Sequence, residues 1–206
     1  VVNWGMILKT TIGATLIASA AFFSLQSTSE NEAITEVSHD NLRASSSIEV
    51  GGEVTELRIG TAVGDLAPEI AMNNTKGKPM KLSDLRGQLV LIDFWASWCG
   101  PCRLSLPALN SLNAEFDASK VQFIAVSIDV VEEDAWDFLE RYAVDYPVVI
   151  DTESDIARLF AVDGMPSGYL LDADGRVREI HIGYKSGDEI KLAASIRKLL
   201  LEMDAS

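Results

Sequence analysis

The chain has 206 residues, 48% of them apolar and 23% charged, enough apolar content to bury a core and too much for a disordered chain. Seventeen basic against thirty-one acidic residues give a net charge of −14, which excludes a surface that tracks a nucleic-acid backbone. With only two cysteines a disulfide-dense miniature is excluded, and the two histidines lie too far from them in sequence for a closed four-ligand zinc site.

Met6-Ile7-Leu8-Lys9 precedes a mostly apolar run from Ile12 to Leu25. Its length suits the ~7–15-residue core of a signal peptide and falls short of the ~20 residues of a spanning helix. Lys9 places a positive charge ahead of the run, and Ala18-Ser19-Ala20 offers small residues for cleavage. Residues 1–26 therefore read as a signal peptide or membrane anchor, the chain's one contact with a membrane, and imply export. Residues 27–60 turn to Ser, Thr, Glu and Asn and read as a polar linker, with Ser45-Ser46-Ser47 at its centre and His39 as a solvated bystander. Ile48 to Ile59 alternates loosely and suits an edge strand. Residues 61–206 form the globular part.

Leu89 to Trp95 is a short apolar run rich in β-branched and aromatic residues, as a strand buried on both faces should be, and Val121 to Ile128 is another. Between them Leu104, Ala108, Leu109, Leu112 and Phe116 fall on one helical stripe, which Pro107 should bend. Glu132, Glu133 and Asp134 load the first turn of a second helix, whose apolar face is Ala135, Phe138, Leu139 and Tyr142. Pro147 to Ile150 is a brief strand, and Ile156, Leu159 and Phe160 mark a short helix. Gly168–Leu171 and Arg176–Ile182 make a hairpin around the turn Asp172-Ala173-Asp174-Gly175, and His181 is a structural residue of its second strand. Ser186 with Glu189 suggests a capping box for a last helix with the stripe Ile190, Ala193, Ile196 and Leu200. The fold class is α/β with a mixed central sheet flanked by helices.

Both cysteines sit in Trp98-Cys99-Gly100-Pro101-Cys102, after the buried strand and where a helix should begin. That spacing brings two sulfurs within bonding reach, so a small-ring disulfide opens and closes without moving the fold. A helix amino terminus presents unpaired amides and partial positive charge, which stabilise a thiolate. Pro101 falls in the first turn, where its missing amide costs little. Cys99 is the expected exposed nucleophile and Cys102 the recessed resolving thiol. A structural staple explains the pair poorly, because a bridge enclosing two residues removes little unfolded-state entropy.

Asp93-Phe94-Trp95-Ala96-Ser97-Trp98-Cys99-Gly100-Pro101-Cys102 resembles the active-site stretch of thioredoxins. Val63-Gly64-Asp65-Leu66-Ala67-Pro68, Leu82-Ser83-Asp84-Leu85-Arg86-Gly87, the stretch from Phe138 to Ile150, and Met165-Pro166 resemble the exported TlpA/ResA group of thiol–disulfide oxidoreductases. The resemblance implies a thioredoxin fold with a helix–strand insertion after the first β-α-β unit. It implies a protein-disulfide reductase that needs no cofactor beyond Cys99 and Cys102. Pro166 then corresponds to the cis-proline facing the disulfide, and Met165 to the residue whose backbone pairs with the substrate strand. Trp98, Gly100 and Pro101 complete the substrate side, with Trp98 covering the pair. Asp93 matches the buried acid that accepts the Cys102 proton, its pKa raised by burial. Gly-Pro between the cysteines resembles reducing members of the fold. The implied partners are proteins with disulfides, apocytochrome c among them, and a membrane thiol donor of DsbD/CcdA type.

Three departures qualify that likeness. Ser105 stands where many relatives carry an acid, Val126 where thioredoxins place a lysine beside the buried Asp, and Ser167-Gly168 where Thr-Thr or Thr-Ser is usual after the cis-proline. Two other chemistries compete. A Cu(I) module would want a further ligand, for which Met165 is the candidate. A thiol peroxidase needs Pro-x-x-x-Thr/Ser-x-x-Cys, and the matching positions are Ile92 and Ala96.

Overall fold

The computed structural model describes residues 45–47 and 56–205. The leader expected over residues 1–26, His39 and most of the polar linker lie outside the described residues. Strands β1 (Ser45–Ser47), β2 (Glu56–Arg58), β3 (Ala71–Asn73) and β4 (Pro79–Lys81) come first, followed by a 3-10 turn (Leu82–Leu85). Then come β5 (Leu89–Trp95), α1 (Cys102–Asn113), β6 (Val121–Ser127), α2 (Glu132–Leu139) and β7 (Val148–Ile150). The chain continues through α3 (Asp155–Leu159), β8 (Ser167–Leu171), β9 (Val177–Ile182) and α4 (Asp188–Asp204). Among the described residues no helix is long and apolar enough to cross a membrane.

β5 is central in a five-stranded sheet of order β7-β6-β5-β8-β9. It pairs parallel with β6 and antiparallel with β8, so the sheet is mixed, as the sequence predicts. The expected insertion is α2 with β7, the latter parallel to β6 at the sheet edge. All of β5 is buried because helices or loops cover both faces. Leu89, Leu91 and Trp95 join one core with α1, α2 and α4, through residues such as Leu106, Phe138 and Ile196. Val90, Ile92 and Phe94 join the other with α3 and the 67–82 segment, through Ile70, Leu82, Ile156 and Phe160.

Several local expectations change. The buried face of α1 is Cys102, Ser105, Leu106, Leu109 and Leu112, whereas Leu104 is exposed. Cys102 faces inward, and Ser105 and Leu106, three and four residues onward, share its face. The helix continues through Pro107. In α4 the buried stripe is Leu192, Ala193, Ile196 and Leu199, with Ile190 exposed. Its capping box does not form. The helix starts after Gly187 at φ 98°, and no side chain caps it there. Instead, Asp188 accepts the Lys185 amide at 2.8 Å and Glu189 accepts the Gly187 amide at 2.9 Å. The loose alternation before residue 60 yields β2, which pairs antiparallel with Ser45–Ser47 from the stretch read as linker. At the 172–175 turn the glycine is needed: Gly175 has φ 79°, and Asp172 accepts the amides of Asp174 and Arg176.

Candidate active site

β5 delivers the chain to Ala96, and α1 begins at Cys102. In between, Cys99 and Cys102 form a disulfide with Cα atoms 5.3 Å apart. Pro101 is the N-cap, so Cys102 contributes the first amide of α1, and that amide donates to Cys99 Sγ at 3.2 Å. Once the bridge is reduced, the same donor and the helix dipole would favour negative charge on Cys99 over the free thiol. Cys102 itself is fully buried among Leu106, Trp95 and their neighbours.

The surface exposure expected for Cys99 is not found in this oxidised form: it retains 4%, against 0% for Cys102. In the bridged form its sulfur lies against the helix start and within the core cluster. Its neighbours Gly100 and Pro101 are exposed. Trp98 is 65% exposed, too open for a side chain sealed over the sulfurs, and stands beside them as an apolar rim.

A network that sequence reasoning missed holds this turn. Asp129, buried just past β6, accepts the Ser97 amide on both oxygens at 3.1 and 3.0 Å and the Ser97 hydroxyl at 2.7 Å. Ser127 donates its hydroxyl to the same carboxylate at 2.8 Å and accepts the Asp129 amide. The available signal was a carboxylate directly after an apolar strand parallel to β5, at the same sheet end as the cysteines.

Met165-Pro166 is a cis peptide. Ser167 pairs with Phe94, so this dipeptide enters β8 at the end where β5 releases the cysteine turn. Pro166 is buried, and Met165 is half-buried against the cluster that contains both cysteines.

Asp93 lies in β5 beneath the same turn, 2% exposed, with neither carboxylate oxygen hydrogen-bonded among the described residues. Burial lifts its pKa from 3.8 to about 8. Tyr146 is its electrostatic neighbour: burial, and after it the Asp93 charge, push the phenol well above its ordinary range. The Tyr146 hydroxyl is likewise unpartnered among the described residues. Ser105, in place of an acid, is buried under the motif, with its hydroxyl 3.5 Å from the Cys102 carbonyl oxygen. The position assigned to Val126 needs correcting. Register sets Ala125 opposite Asp93, while Val126 pairs with Phe94 and packs in the other core. Side chains alternate across a strand, so Ala125 shares the Asp93 face and again supplies no cation.

Residues 63–180 match the model of the AhpC/TSA family. The thiol-disulfide oxidoreductase ResA of Geobacillus thermodenitrificans (strain NG80-2) is 30% identical, over 65% of this chain and 77% of its own length. ResA of Bacillus subtilis (strain 168) is 31% identical, over 58% of this chain and 67% of its own. Among solved structures, one described as the thiol:disulfide interchange protein DsbE from Chlorobium tepidum superposes with a TM-score of 0.65 at 38% identity. That match covers 68% of this chain and 99% of the Chlorobium chain.

Proposed function

This chain belongs to the AhpC/TSA family and is a thiol–disulfide oxidoreductase of thioredoxin fold, and we propose that it works as a reductase of disulfides in exported proteins. The observation that carries the reading is the bridge at the start of α1, with the Cys102 amide directed at the Cys99 sulfur. In the reduced protein Cys99 thiolate attacks a target disulfide, forming a mixed disulfide and releasing one target sulfur. Asp93 takes the Cys102 proton, Cys102 attacks Cys99, and the second target sulfur leaves. Met165 and Pro166 supply the backbone edge for the target strand, and Trp98, Gly100 and Pro101 the rim it meets.

The leader-like segment before residue 27 supports work outside the cytoplasm. An oxidising compartment would keep re-forming the bridge, so a membrane thiol donor of DsbD/CcdA type would restore the dithiol. Cysteine pairs of apocytochrome c fit as targets by family likeness. Peroxide chemistry is disfavoured, since Ile92 and Ala96 are buried apolar residues where proline and a hydroxyl would be needed.

The test is Cys102→Ser incubated with a disulfide-bearing protein. A covalent adduct through Cys99 that dithiothreitol releases is expected, together with a wild-type reduction potential near about −270 mV. A potential near about −120 mV would make the protein an oxidant. Stoichiometric Cu(I) binding without adduct or disulfide reduction would replace the reading with metal delivery.

A further inference from the structure

Asp93, Gly168 and His181 form one row across three adjacent strands, β5, β8 and β9. Residues paired in register project to the same face, so Asp93 and His181 stand on the α1 and α4 side with a glycine between them. The imidazole occupies the space that glycine leaves. A Cβ built on Gly168 would lie 1.9 Å from His181 Cε1 and 2.2 Å from Nε2. On its other side the ring lines a surface cleft of about 240 Å³ with Leu109, Tyr184, Glu189 and Leu192. His181 thus lies between the row of the buried carboxyl and a cleft that water can enter.

We propose that His181 is the proton gate of the resolving step, taking from Asp93 the proton that Asp93 has drawn from Cys102 and releasing it into the cleft. The proposal rests on the dithiol-exchange reading above. The Cys102 S–H bond breaks and an Asp93 O–H bond forms. Cys102 Sγ bonds to Cys99 Sγ as the bond from Cys99 to the target sulfur breaks, and the electron pair leaves with the target. The Asp93 O–H bond then breaks as an N–H bond forms on His181 across the space over Gly168, a hydrogen bond that the oxidised form does not make, and the imidazolium passes its proton to water, from which the target thiolate is protonated. The target disulfide is the oxidant, and no further redox partner enters.

The surroundings keep the imidazole neutral and its hold on a proton weak, so it acts as a transient carrier that hands the proton on to water. Burial lowers the His181 pKa below the ordinary histidine range, against the opposing pull of Glu179 and Asp188. The groups that share the cleft with it are Glu179 from its own strand, Tyr184 from the following loop, and Asp188, Glu189 and Lys191 from α4, and Asp93 stands beyond Gly168 in the same cross-strand row. Leu109 is what α1 contributes there. The competing account is that His181 only fills space over Gly168.

His181→Gln keeps the size and the hydrogen-bonding capacity while removing the base. Stopped-flow release of a target from the Cys99 mixed disulfide should slow by roughly tenfold or more between pH 6 and pH 8, with adduct formation unchanged. His181→Ala should show the same defect, and added imidazole should restore the rate in proportion to its unprotonated fraction. Resolution of His181→Gln at the wild-type rate and pH profile would overturn the gate. So would slow resolution of His181→Ala that imidazole leaves unchanged, since that is what lost packing produces. A wild-type protein that forms no adduct at all would instead strike at the exchange reading itself.

Discussion

The carboxylate of Asp129 accepts both the amide and the hydroxyl of Ser97, at 3.0 and 2.7 Å for the nearer contacts. The tie fastens the end of β6 to the turn that carries Trp98 and Cys99, two positions before the reactive pair begins. The turn is therefore held from a neighbouring strand as well as by the helix start that follows it.

Removing that tie should cost stability and geometry together. Asp129→Ala leaves the Ser97 amide and the Ser127 hydroxyl without their acceptor. Charge-assisted hydrogen bonds of this kind each contribute about 1.5–3 kcal/mol. A loss of roughly 2–4 kcal/mol in urea unfolding is expected, with a change in the alkylation rate of reduced Cys99. An unfolding midpoint and alkylation rate equal to wild type would show that the turn holds itself.

Asp93 should leave a pH signature. Its folded pKa lies near about 8 against an unfolded value near 3.8, so the folded state binds more protons between those limits. Stability should therefore fall as pH rises from about 4 to about 8, at up to ~1.4 kcal/mol per pH unit, and level off above. Asp93→Asn should flatten that slope and gain on wild type at pH 8. The resolving step should run the other way, quickening toward pH 8 as the carboxylate forms and slowing in the Asn variant. A stability profile of the Asn protein parallel to wild type would contradict an ionisable, desolvated Asp93.

Tyr146 offers a milder test of the same buried region. Its hydroxyl is out of water and unpartnered among the described residues, so deleting it removes a desolvation penalty and no bond. Tyr146→Phe should be neutral or stabilising by up to ~1–2 kcal/mol in chemical denaturation. It should also shift the Asp93 titration little, since the phenol stays neutral throughout. A destabilisation above ~1 kcal/mol would reveal a partner for the hydroxyl.

Much of the site could be read along the chain because its chemistry is local. Two cysteines separated by two residues, after an apolar run and before a helical stripe, set their own distance through backbone geometry alone. The same holds for the order of strands and helices, since the apolar run of β5 could only be satisfied with cover on both faces. Helix rotation was less legible. Leu104 and Ile190 fit an apolar stripe by spacing, yet both face water, because one spacing admits more than one phase and packing against the sheet buries Cys102, Leu106 and Leu109 in α1 and Leu192, Ile196 and Leu199 in α4.

What the linear sequence determined by itself was the reactive pair and the alternating α/β plan, while the acid six positions upstream was expected to be buried only through the family resemblance. Tertiary structure alone decided which groups meet across strands: Asp129 with Ser97, Ala125 rather than Val126 beside Asp93, and His181 over Gly168. Hydrophobic periodicity records which side of an element faces inward but carries no register. Register fixes which polar groups share a face, and it forms only when β5, β6, β8 and β9 pair.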